Sequence, residues 1–167
     1  MNQVETLEKR NSLFIICPFC QLESFIRTNF GSEIFFITIP AVVLNFNKSE
    51  ISDIRDFIFR MKIENIYVVN DISCNFLEEA INNEKVFGLD CEKELRINVK
   101  LFDFLSENHL SSVIKKEILA KSNIGKQVSY LNSLNLFNRH IEPSEKKVHG
   151  LILDQHTLVN SLPVSIK

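Results

Sequence analysis

One strand–helix–strand unit constrains this chain more than any other feature. The run Glu33–Ile39 (EIFFITI) is apolar and β-branched, and it stops at Pro40, which cannot donate to a β-ladder. Asn47 with Glu50 three residues later reads as a capping box opening a helix. Ile51, Ile54, Ile58 and Met61 then share one helical face, with Phe57 beside them. Asn65–Asn70 follows as a second apolar run. Strand, helix and strand at this spacing form a βαβ crossover, and such crossovers build parallel sheets.

The rest of the chain extends that sheet. Ser12–Cys17 (SLFIIC) reads as a buried strand, and Gln21–Asn29 as a short helix or an irregular crossover. Gly31-Ser32 marks a turn, and Ala41–Phe46 fits either state. A helix is expected from Ile72 to about Asn83, with Phe76, Leu77, Ala80 and Ile81 facing inward. Cys91–Asn108 carries Leu95, Val99, Phe102 and Leu105 at helical spacing, and Ser111–Ala120 continues in that character. After Ser122, an apolar stripe of Ile124, Val128, Leu131 and Leu134 runs to a region closed by Pro143. Lys147–Leu153 (KVHGLIL) is a further strand, and a turn at Asp154-Gln155-His156 returns the chain as an edge strand over Thr157–Val164. The expected class is α/β: a mainly parallel central sheet with flanking helices and a C-terminal antiparallel edge hairpin. It forms one domain over 1–167, with 1–11 as a polar lead-in.

Composition narrows the functions open to it. Hydrophobic residues make up 45% of the 167, enough for a real core, and the net charge of −2 offers no basic surface for nucleic acid. No apolar run approaches the roughly 18 residues of a membrane span. The opening MNQVETLEKR is polar and carries acidic residues, unlike a signal or transit peptide, so a cytoplasmic, reducing compartment is expected. There, Cys17, Cys20, Cys74 and Cys91 are expected as free, metal-binding or redox-active thiols rather than bridges.

The chemistry concentrates at two strand ends. IYVVNDISC places Asp71 and Cys74 just past an apolar strand, and SLFIICPFCQ places Cys17 and Cys20 past another. Carboxyl ends of parallel strands are where α/β proteins build sites. Read alone, Cys17 and Cys74 equally fit small buried apolar residues, and Asp71 fits the N-cap of the helix from Ile72. Cys91 has no partner at ligand spacing and reads as structural. His149 reads as a structural strand histidine, while His109, His140 and His156 sit at no spacing that indicates a proton relay. Cys17-Pro18-Phe19-Cys20 is also the tetrapeptide of glutaredoxin-like thiol redox proteins, which makes Cys17 and Cys20 a redox pair in that reading. The short span from Cys17 to Thr38-Ile39-Pro40 argues against that scaffold.

Four stretches, in one order across about residues 12–164, carry a resemblance. They are SLFIICPFCQ, the segment from Ser32-Glu33 to Ile37, IYVVNDISC, and Asn123–Leu131 followed by Lys147–Asp154. Together they resemble the β-class carbonic anhydrases. That family has Cys-x-Asp-x-Arg, a lead into Arg-Asn-Ala-Gly-Asn, Gly-His-x-x-Cys, and a late helix followed by a Val-His-Gly strand. The resemblance implies a zinc site at Cys17, Asp71 and Cys74, with Asp71 where the family has histidine. It puts Phe19 and Gln21 at the family's aspartate and arginine, and Thr38–Val42 at its Arg-Asn-Ala-Gly-Asn. An ionised Asp71 adds a negative charge to the metal's shell and raises the pKa of a bound water. Phe19 and Gln21 cannot orient that water as an aspartate–arginine pair does. The resemblance therefore implies a homodimeric carbonic-anhydrase-like protein without CO2-hydration activity. The alternatives are a zinc carbonic anhydrase with an altered shell, a structural zinc site closed by Cys17, Cys20, Asp71 and Cys74, and the thiol redox protein.

Overall fold

The structure is a computed structural model. It describes residues 11–31, 33–84, 87–105, 110–137, 147–155 and 157–162. Most of the polar lead-in, Ser32, Pro143 and the histidines at 109, 140 and 156 lie outside them. In chain order the elements are β1 (Ser12–Ile16), α1 (Glu23–Phe30), β2 (Ile34–Thr38), α2 (Lys48–Arg60), β3 (Asn65–Asp71), α3 (Asn75–Ile81), α4 (Asp90–Leu105), α5 (Ser112–Ser133), β4 (Lys147–Asp154) and β5 (Thr157–Leu162).

The strands form one sheet in the order β2-β1-β3-β4-β5. The first four are parallel, and β5 turns back antiparallel at the edge. The expected α/β class, mainly parallel sheet and edge hairpin are all present. Strands buried on both faces read as unbroken apolar runs rather than alternating ones, which is why β1 and β3 were so legible. On one face Leu13, Ile15, Ile66 and Val68 pack with Ile58 of α2, Phe76 and Leu77 of α3, and Leu119, Ile124 and Val128 of α5. On the other, Phe14, Ile16, Tyr67 and Val69 pack with Ile26 of α1. The phenylalanine-rich composition is spent partly on that second face. The Phe14 ring stands 4.6 Å from Tyr67 and 5.1 Å from Phe30.

Several local expectations are corrected. The helix expected from Ile72 begins at Asn75, because β3 runs on to Asp71 and Ile72 N still bonds Leu153 O at 2.8 Å. Ser111–Ala120 and the later stripe are one helix of 22 residues, since nothing between them breaks the backbone ladder. Met61 does not join the inward face of α2: it follows the last turn and is exposed. Among the described residues, no helix is long and apolar enough to cross a membrane.

The capping box at Asn47 forms as expected. Its Oδ1 accepts from Ser49 N and Glu50 N at 2.9 and 3.0 Å, and Glu50 Oε2 accepts from Asn47 N at 2.8 Å. Asn47→Ala should therefore lower unfolding free energy by about 1 kcal/mol in urea titrations, while Asn47→Ser stays near the parent.

Candidate metal centre

Because β1 and β3 are parallel neighbours, both point their carboxyl ends at the same edge of the sheet. Cys17 is the first residue past β1, and Cys74 lies three residues past β3. Between Cys17 and Cys20 the chain makes a single 3₁₀ turn, Pro18–Cys20, closed by Cys20 N on Cys17 O at 3.2 Å. Proline at the first position presets this turn. The turn brings Cys20 back to the strand end. The Sγ atoms of Cys17, Cys20 and Cys74 all lie within 4.8 Å of one another, and Cys17 and Cys74 stand 3.8 Å apart. Cys17 and Cys74 are buried, and Cys20 is half-buried.

Three thiols packed this closely share their protons unevenly. Cys17 is held far below the usual thiol range, chiefly by a hydrogen bond from Cys20 and then by one from Cys74. Backbone amides at Phe19 and Ala41 favour the same anion, against the opposing effect of burial. Cys20 is driven upward because its proton serves Cys17. Cys74 is pushed up, again mainly because it donates to Cys17. The shared protons favour the anionic form of Cys17 within a cluster of sulfurs, the donor type that soft divalent metals select.

The sequence-derived residues divide clearly. Cys17 and Cys74 converge, and Cys20, which the resemblance gave less weight, joins them. Asp71 lies outside this group. Its Oδ1 accepts from Ser73 N at 2.8 Å, Ser73 Oγ at 2.5 Å and Gln155 N at 3.4 Å, tying the end of β3 to the β4–β5 turn. Nor does Asp71 cap a helix, since Cys74 holds the N-cap position of α3. Phe19 turns outward, with its ring 5.3 Å from Phe76 and 5.2 Å from Phe87. Gln21 is exposed in a left-handed conformation. Cys91 stands outside the cluster on α4, and burial raises its thiol. His149 stacks on Tyr67 at 4.9 Å and reaches Asn65 at 3.3 Å, near the amino ends of the strands and away from the thiols.

The sequence reading missed the loop that backs Cys17. Residues 40–46 follow β2 and are held by one face of α5. Asn123 Nδ2 donates to Ala41 O at 3.0 Å, Leu44 N to Gln127 Oε1 at 3.0 Å, and Phe46 N to Tyr130 Oη at 3.0 Å. The spacing 123, 127, 130 is one helical face carrying three polar groups, and that was the available signal.

No family model matches the sequence, and no curated protein does. Solved structures do. The β-carbonic anhydrase CafA of Aspergillus fumigatus is similar with a TM-score of 0.72 at 19% identity, over 95% of this chain and 78% of that one. CafD of the same fungus gives 0.68 at 16%, over 91% and 89%. A tetrameric β-carbonic anhydrase from Sordaria macrospora gives 0.62 at 15%, over 93% and 83%. At this identity the likeness is one of architecture: the chain has the β-carbonic anhydrase fold.

Proposed function

We propose that this chain is a zinc-binding protein on a β-carbonic anhydrase scaffold, holding the metal by Cys17, Cys20 and Cys74 and lacking CO2-hydration activity. The observation that carries this reading is the convergence of three sulfurs within 4.8 Å. The donor set fits zinc in type and in spacing. Zinc–thiolate bonds of about 2.3 Å at tetrahedral angles separate neighbouring sulfurs by roughly 3.8 Å. The Cys17–Cys74 distance is 3.8 Å.

Zinc bound there would supply a Lewis acid carrying one net negative charge from its three thiolates, which disfavours ionising a water on it. The protein's own residues reinforce that reading. Phe19 turns its ring to Phe76 and Phe87 and offers no polar atom to orient a water. Gln21 is solvent-exposed and lacks the fork of an arginine.

Purified protein should contain about one zinc per chain by elemental analysis. Cys20→Ser and Cys74→Ser should each weaken zinc more than the roughly 10–100-fold typical of outer-shell changes, while Asp71→Asn should retain it. If Asp71→Asn loses the metal and Cys20→Ser keeps it, Asp71 is the third ligand. Stopped-flow CO2 hydration by the zinc-loaded protein should match the buffer blank. A clear rate above the blank makes the chain a carbonic anhydrase with an altered shell.

A further inference from the structure

The three thiols differ in access. Cys17 is 2% exposed and Cys74 7%, whereas Cys20 is half-buried. The turn that carries Cys20 faces water, since Pro18, Phe19 and Gln21 around it are all exposed. A small oxidant entering from solvent therefore meets Cys20 first. Behind it, the sulfurs of Cys17 and Cys74 lie within 4.8 Å. An accessible thiol backed by a second one is oxidised reversibly, because the partner captures the first product before it oxidises further.

The backbone selects that partner. Cys17 and Cys20 close one turn, with Cys20 N on Cys17 O at 3.2 Å. Such a turn keeps its end Cα atoms under about 7 Å apart. A disulfide spans about 4.4–6.8 Å between Cα atoms, so a Cys17–Cys20 link forms with β1 left in place. Cys74 is tied elsewhere. It is the N-cap of α3, and its carbonyl accepts from Leu77 N at 3.0 Å.

We propose that the three-sulfur site is a redox switch, in which a peroxide drives Cys20 and Cys17 into a disulfide and the metal is released. The proposal rests on the zinc reading above and adds the condition under which the site empties. The Cys20 sulfur attacks one peroxide oxygen; the O–O bond breaks, leaving a sulfenic acid and hydroxide. The Cys17 thiolate then attacks the Cys20 sulfur; the S–S bond forms, the S–O bond breaks and a second hydroxide leaves. The two sulfurs lose two electrons, which reduce the peroxide to two hydroxides. Cys74 is then the one sulfur donor left of the three, too few for a closed zinc site. A dithiol reductant reverses the step by reducing the link and becoming a cyclic disulfide itself. The metal and redox readings of Cys17-Pro18-Phe19-Cys20 become two states of one site.

The test uses the full zinc-loaded chain and an equimolar addition of hydrogen peroxide. Zinc should pass to a chromophoric chelator, and dithiothreitol followed by fresh zinc should restore the loaded form. After alkylation without reduction, the tryptic peptide 11–27, which carries both Cys17 and Cys20, should be unlabelled and lighter by two hydrogens. Cys74 and Cys91 should still take the label. In metal-free protein, Cys20→Ser should lose its remaining thiols at least about tenfold more slowly than the parent, as expected when the accessible thiol is gone. If zinc stays bound with every thiol free, if Cys74 is found in the link, or if Cys20 reaches sulfinic acid with no link, the switch is overturned while the metal site stands. A parent chain that takes up no zinc overturns both, whatever its thiols do.

Discussion

The parallel pairing of β1 with β3 is the constraint from which the site follows. The ladder from Ser12↔Asn65 to Ile15↔Val68 fixes the two strands in one direction and one register. Their carboxyl ends must therefore leave the sheet side by side, carrying Cys17 and Cys74 into contact. Both strands are buried on both faces, so the sulfurs lie at the rim of a dry core. A charge there is costly unless it is hydrogen-bonded or shared with a metal. Cys17 has the Cys74 sulfur at 3.8 Å and the Cys20 sulfur within 4.8 Å to share that charge.

The scaffold and the site carry different information. The chain shares its architecture with the β-carbonic anhydrases and brings three thiols together at the ends of adjacent strands. The side chains packed beside those thiols include apolar rings. Phe19, Phe76 and Phe87 pack ring on ring beside the thiols, each pair within 5.3 Å. The function proposed above is accordingly a binding task, sulfur holding positive charge, rather than a proton-transfer one.

Much of the fold was legible because local signals agreed with the tertiary result. The capping box at Asn47, the proline after β2, the apolar runs of β1 and β3 and the terminal hairpin each follow from neighbours in sequence. The site was legible by half. Cys17 and Cys74 sit directly after strands whose pairing could be expected. Cys20 depended on how tightly the Pro18 turn closes, which residue spacing alone leaves open. Asp71 spends its Oδ1 on Ser73, two residues on, at 2.8 and 2.5 Å, a local turn that competes with the ligand role its place in the sequence suggested. The left-handed Ala41–Val42 turn was invisible because its supports are distant. No glycine announces it, and the α5 groups that enforce it lie about 80 residues downstream.

The central claim is that three sulfurs of this chain share one metal ion. X-ray absorption at the zinc edge of the zinc-loaded protein addresses it directly. The account predicts a first shell of three sulfurs at about 2.3 Å with one lighter atom completing the tetrahedron. A shell of two sulfurs with two oxygen or nitrogen neighbours, or a protein that takes up no zinc, would contradict it.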